Sequence, residues 1–143
     1  MEISAQALSF HNLNGYDRVL MALVQRCRTL IRQDDLLARY GGEEFAVVLH
    51  GASVRQGLKK ARAICKEVAG MRYALDAQHP HETIAFTVSI GVSALQRGDT
   101  VEDVIKRTDQ ALYAAKQQGK NRVERWTEAI GAICARLDGL PLA

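Results

Sequence analysis

The order of predicted elements puts this chain in the α+β class, with helices layered on a mainly antiparallel sheet. Three observations carry that reading. Apolar residues recur at helical spacing over 18–32, 53–70 and 100–118. Short alternating or β-branched runs lie between these helices, two of them joined by a Gly-Gly turn. Strands and helices do not alternate strictly as βαβ units, which argues against an all-parallel sheet.

Taken in order, residues 2–8 (EISAQAL) alternate partially, with Ile3, Ala5 and Ala7 on one face, and read as a first strand. FHNLNGYD then leads into a helix over 18–32, where Val19, Leu20, Leu23, Val24, Cys27, Leu30 and Ile31 form one stripe and Asp17 stands at the N-cap. Leu36, Leu37 and Ala38 precede Gly41-Gly42, and Phe45 to Leu49 follow it. This reads as a β-hairpin, the glycines supplying positive φ. Ser53 caps a helix that ends at Gly70. Residues 71–75 and 83–95 read as a hairpin with a long polar tip, the second strand alternating at Ile84, Phe86, Val88 and Ile90. Thr100 caps the next helix, whose inner face is Val101, Val104, Ile105, Thr108, Leu112 and Ala115, and Gly119 ends it. A short strand at 122–126 follows. We divide the chain into a domain over 1–126 and a helical tail over 127–143.

A chain of 143 residues suits one domain with its own core. Its net charge of +3 is compatible with an anionic ligand but too small to argue for nucleic acid. Cys27, Cys65 and Cys134 are odd in number and form no CxxC pair, which fits buried reduced thiols. No apolar run is long enough to cross a bilayer, so the expected location is the cytoplasm.

Chemistry concentrates at Arg39 to Leu49, RYGGEEFAVVL. The hairpin tip projects Glu43 and Glu44 beside a bare backbone. Such a tip suits a metal-bound polyphosphate, because glycine lets a bulky anion approach the main chain and a carboxylate can hold Mg²⁺. Taken alone, the same residues also describe an ordinary solvated hairpin tip. His79, His81 and Glu82 invite a metal reading, but without a third or fourth ligand they read as a polar tip.

The string GGEEF resembles the signature of the GGDEF domain family, the diguanylate cyclases. Further stretches fall in the family's order over residues 3–125: FHNLN against F-K-x-x-N, Tyr16-Asp17 against a later G-D, Arg32-x-x-Asp35 ahead of the glycines, FTVSIGVSAL, and ALYAAKQQGKNRV. The resemblance implies a palm-like, nucleotidyl-cyclase fold. It also implies a homodimer in which each protomer holds GTP with Mg²⁺ or Mn²⁺, and condensation to cyclic di-GMP. By the same resemblance Asn14 and Asp17 read guanine, Gly41 and Gly42 admit the phosphates, Lys116 and Lys120 bind them, Glu43 holds the metal and Glu44 assists deprotonation. Arg32 and Asp35 form the inhibitory product site. A sensory domain or partner protein upstream is implied as the control.

Two departures stand out. The segment between Asn14 and Asp17 is shorter than the family's, and Gln6 occupies the place of the first metal-binding Asp, with Leu8 where another acid is common. A neutral carbonyl does not compensate an ion's charge, so metal affinity should fall and Glu43 becomes the principal acidic ligand. Three readings follow: a cyclase, a degenerate domain that binds GTP or cyclic di-GMP without turnover, and a dimerisation scaffold using the tail. The expected cavity lies between the acids at the turn and the lysines of the last long helix.

Overall fold

The computed structural model describes residues 2–4, 13–74 and 77–139. Its elements are β1 (Glu2–Ser4), α1 (Leu13–Leu30), β2 (Leu36–Arg39), β3 (Phe45–Val48), α2 (Val54–Ala69), β4 (Tyr73–Ala74), β5 (Thr83–Ile84), β6 (Thr87–Val92), α3 (Val101–Gln117), β7 (Val123–Arg125) and α4 (Glu128–Asp138). The α+β class holds. Gln6, and most of the strand expected over 2–8, lie outside the described residues.

Local chemistry accounts for the starts of three helices. The Ser53 hydroxyl accepts the Gln56 N–H while the Gln56 side chain accepts the Ser53 N–H, so two otherwise orphaned donors are satisfied reciprocally. Thr100 and Asp103 repeat the device at the start of α3. Thr127 caps α4 by accepting from the Ile130 N–H. The first helix corrects the expectation. It begins at Leu13, so Asp17 lies inside it and is no N-cap. The apolar repeat in fact reaches back through Leu13, Tyr16 and Leu20, and that periodicity outweighs Asp17's preference for a cap.

Among the described residues three of the four strand pairings are antiparallel: β1 with β6, β2 with β3, and β4 with β5. The fourth, β6 with β7, is parallel. Among the described residues they make three separate sheets rather than one. The strand expected over 83–95 is broken at Ala85 and Phe86: β5 pairs with β4, and β6 belongs to the sheet with β1 and β7. The alternation nonetheless survives, since Ile84, Phe86, Val88 and Ile90 are all buried.

β6 lies between two helices. On one face Val88 and Ile90 join Ile64 and Val68 of α2 in the core, with Leu23 and Cys27 of α1 and Phe45 of β3. On the other face Gly91 meets the α3 backbone, and the Ser93 and Thr108 hydroxyls are hydrogen-bonded to each other. Val101, expected to face inward on α3, is 70% exposed; the buried stripe is Ala111, Leu112 and Ala115. As the first residue of its helix, Val101 sits ahead of the turn that packs on β6.

α4 packs against α3. Trp126 donates its indole N–H to Gln110 Oε1 at 2.8 Å, Arg107 lies over the ring, and Gly131 of α4 fits against the indole, where a Cβ would stand 2.9 Å from Cζ2. Arg107 is held in turn by the Asp99 carboxylate. No described helix is long and apolar enough to cross a membrane. All three cysteines are free and buried, and burial pushes the Cys27 thiol up to about 11.

Candidate functional site: an acidic hairpin turn

β2 and β3 pair in register from Leu36 opposite Val48 to Arg39 opposite Phe45, leaving Tyr40 to Glu44 as the turn. The Tyr40 and Gly41 N–H groups both donate to Glu44 O, at 2.8 and 3.1 Å, and Glu44 N–H returns a bond to Gly41 O at 3.3 Å. Arg39 braces the loop from outside, its guanidinium donating to Gly41 O and to Gly42 O at 2.7 Å. Sequence reasoning did not assign Arg39 a role. The signal was a cation immediately before the turn it stabilises.

The glycines are not there for the conformation expected of them. Neither Gly41 nor Gly42 takes a positive φ. A Cβ on Gly42 would meet nothing within 4 Å, and one on Gly41 only the Glu44 Cβ at 3.9 Å. The hairpin therefore forms without needing glycine's special backbone, and its bare main chain is left open to solvent. Glu43 is exposed and its side chain has no partner among the described residues; Glu44 is half-buried.

Among the described residues no three His, Cys, Asp or Glu side chains converge, so there is no self-sufficient metal cage, and His79, His81 and Glu82 form none. The two acids of the turn suit a different arrangement. Mg²⁺ often binds through one or two carboxylates while keeping waters and substrate phosphates in its shell, and an open turn with adjacent Glu43 and Glu44 fits that donor set.

Asn14 and Asp17 fall in the opening turns of α1. Lys116 is in the last turn of α3, half-buried, and Lys120 lies just beyond it in the exposed turn leading to β7. That turn is unusual: Gly119, Lys120 and Asn121 have φ of 120°, 62° and 49°. Asn121 tolerates the left-handed region and is tied down by Cys65 Sγ at 3.7 Å. Lys120 carries that conformation without a side-chain reason of its own.

The Arg32–Asp35 pair has a specific geometry. Asp35 is 1% exposed at its side chain and accepts the Arg32 N–H at 2.8 Å through Oδ2 and the His50 N–H at 3.0 Å through Oδ1. The Arg32 guanidinium, 64% exposed, donates to His50 O at 2.6 Å. Asp35 thus ties the end of α1 to the end of the β2–β3 hairpin, and Arg32 is the member of the pair that faces solvent. The Arg32 backbone N–H above all, then the His50 N–H and the Arg32 charge, hold the Asp35 carboxyl below its usual range despite desolvation. A lowered folded value contributes stability that is complete above the unfolded value of about 3.9 and is lost as pH falls through the folded one. Asp35→Asn is therefore expected to lower the thermal midpoint at neutral pH and flatten its fall in acid, as a melting series from about pH 7 to pH 2 would read.

A groove of about 670 Å³ reaches from Glu44 along β3 to β6, between α2 and α3. Its lining includes neither Glu43 nor Lys116 nor Lys120 and is mainly apolar. It is not the cavity expected between the acids and the lysines.

A family model described as diguanylate cyclase, GGDEF domain, matches residues 14–122. The response regulator PleD of Caulobacter vibrioides is 39% identical over 108 residues, which are 75% of this chain and 23% of PleD. The diguanylate cyclase DgcP of Pseudomonas aeruginosa is 35% identical over 115 residues, 80% of this chain and 16% of DgcP. The chain thus spans less than a quarter of either relative. The solved GGDEF domain of TpbB (YfiN) from Pseudomonas aeruginosa matches with a TM-score of 0.76 at 28% identity, covering 85% of this chain and 70% of that one. The active GGEEF domain of a diguanylate cyclase from Vibrio cholerae matches at 0.71 and 32%, covering 88% and 79%. The GGDEF domain of DgcB from Caulobacter crescentus, solved in complex with c-di-GMP, matches at 0.70 and 30%, covering 76% and 63%. With its GGEEF turn at the tip of an exposed hairpin and a matching family model over three quarters of its length, this chain belongs to the GGDEF domain family of the diguanylate cyclases.

Proposed function

We propose that this domain binds GTP with Mg²⁺ or Mn²⁺ at the GGEEF turn and, as a two-fold pair, condenses two GTP into cyclic di-GMP. Each 3′-hydroxyl oxygen bonds to the α-phosphorus of the other nucleotide as the α–β phosphoanhydride breaks, so two pyrophosphates leave and two hydroxyl protons are given up. Glu44 takes up the proton, Glu43 is the acidic ligand, and Gly41 and Gly42 let the phosphates approach the main chain. Lys116 and Lys120 neutralise the phosphates, while Asn14 and Asp17 recognise guanine. When bound, the cation supplies charge neutralisation on the phosphates. The domain's own part is positioning, and one protomer holds only half of the reacting groups, hence the homodimer.

The observation that carries this reading is the turn: two glycines whose freedom the fold does not use, beside two acids, one of them without a partner among the described residues. Product binding at Arg32 supplies inhibition, with Asp35 setting where Arg32 stands rather than contacting the ligand directly.

Incubating the purified chain with GTP and Mn²⁺ or Mg²⁺ and separating the nucleotides tests the proposal. Cyclic di-GMP is the expected product, and its absence at high protein concentration would overturn the enzyme reading. Gln6 favours a second reading, regulatory binding of GTP or cyclic di-GMP without turnover. That reading predicts calorimetric heat with cyclic di-GMP that disappears in Arg32→Ala, and Gln6→Asp should then create turnover.

Lys120 offers a separate check. A lysine in the left-handed region costs about 1 kcal/mol relative to glycine, so Lys120→Gly should raise stability by about that much while weakening GTP binding. A melting curve and a GTP titration on the same sample read both effects.

A further inference from the structure

Two adjacent glycines leave the GGEEF turn loose. Glycine has more backbone freedom to lose on folding than any other residue, and neither Gly41 nor Gly42 uses it for a positive φ. A bare main chain that admits a bulky anion is therefore also a poorly restrained one. Glu43 inherits the looseness: its side chain has no partner among the described residues, so its own backbone decides where the carboxylate stands.

Arg39 supplies the restraint. It is the last paired residue of β2 and stands opposite Phe45, which is 4% exposed and part of the core, so the base of the turn is anchored. From that base the guanidinium reaches over the tip, Nε donating to Gly41 O at 3.3 Å and a terminal nitrogen to Gly42 O at 2.7 Å. A rigid fork of donors can hold two carbonyls at once, which the point charge of a lysine cannot. Among the described residues Arg39 forms no ion pair, so its charge strengthens these two bonds undiminished. Peptide planarity carries the effect to the opposite side of the chain. In a trans peptide the N–H points away from the C=O. With the Gly42 carbonyl drawn to the guanidinium, the Glu43 N–H in the same plane turns to the other side, and the Gly41 carbonyl orients the preceding plane likewise. N–H groups turned one way by a turn form a concavity suited to an anion. Arg39 stands across the main chain from that concavity and is not itself a phosphate ligand.

We infer that Arg39 is a positioning residue for the proposed reaction: by clamping the Gly41 and Gly42 carbonyls it holds the turn in one arrangement, which sets both the N–H side offered to phosphate and the place of the Glu43 carboxylate. The clamp offsets the freedom that the glycines introduce, so the turn is ordered before the nucleotide arrives rather than by it, and less binding energy goes into ordering it. The inference rests on the nucleotide reading given above.

The test compares the full chain with Arg39→Lys, which keeps the charge and loses the fork. Backbone amide order parameters are measured by NMR without nucleotide, GTP with Mg²⁺ is titrated into both proteins by calorimetry, and both are melted. In Arg39→Lys the order parameters of Gly42 and Glu43 are expected to fall from about 0.85 to below about 0.6, and GTP to bind about tenfold more weakly or worse. The thermal midpoint should move by only a few degrees, because Arg39 is exposed. An equally rigid turn in Arg39→Lys, or equal GTP affinity, would overturn the clamp and leave the nucleotide reading standing. Lower order parameters along the whole β2–β3 hairpin with a large fall in the midpoint would make Arg39 a residue of the fold, which overturns it too. A parent chain that binds no GTP would overturn the nucleotide reading and with it the role of the clamp.

Discussion

Replacing Gly91 by alanine is expected to destabilise the domain by about 3 kcal/mol or more, a large share of a stability on the order of 5–15 kcal/mol. A Cβ at this position would stand 2.4 Å from both Leu112 N and Thr108 O, and 2.9 Å from Leu112 Cα. These are backbone atoms of α3, not the movable ends of side chains, so relief requires the helix to lift off β6. That helix carries the buried Ala111, Leu112 and Ala115 and leads to Lys116 and Lys120, so a shift should disturb the lysines as well as the core. Gly57 provides the contrast. It lies inside α2, and a Cβ there would find Val92 Cγ1 at 3.8 Å and Leu49 Cδ1 at 3.9 Å, ordinary contacts. Gly57→Ala should therefore gain about 0.5–1 kcal/mol from helix propensity. Denaturant melts of the two variants should move in opposite directions; a Gly91→Ala protein as stable as its parent would refute the close approach of α3 to β6.

Glu43→Gln is expected to lower cyclic di-GMP formation on the order of a hundredfold or more while leaving stability within about 0.5 kcal/mol. Both halves follow from where the residue stands. Glu43 is exposed, and its side chain makes no hydrogen bond or ion pair among the described residues, so folding does not depend on its charge. By the family resemblance Gln6 takes an acid's place, which makes Glu43 the principal negative group proposed for the cation, and a neutral amide of the same shape removes that charge. Raising Mn²⁺ should recover part of the lost rate if the defect is metal affinity. Unchanged turnover in Glu43→Gln would reduce the turn to a solvated hairpin tip.

Much of this molecule was legible before any coordinates. The hairpin around GGEEF, the helices begun by Ser53 and Thr100, and the alternating buried face of Ile84, Phe86, Val88 and Ile90 are all written in short-range patterns, and so is family membership. Other features were misread because local signals competed. Asp17 looked like a cap until the apolar repeat carried α1 back to Leu13. The Gly-Gly pair suggested a positive-φ turn, whereas the five residues from Tyr40 to Glu44 close the hairpin by main-chain bonds and Arg39. The run over 83–95 looked like one strand, but its two halves pair with different neighbours.

What the amino-acid order determined alone is what depends on neighbours a turn or two away: helical periodicity, caps, strand alternation, and the motif that names the family. Only the tertiary structure decided what depends on residues far apart in sequence. Packing of α3 made Gly91 irreplaceable, and the meeting of α1 with the end of β3 buried the Asp35 carboxylate. Each of these is set by the distance between backbones, which no local pattern encodes.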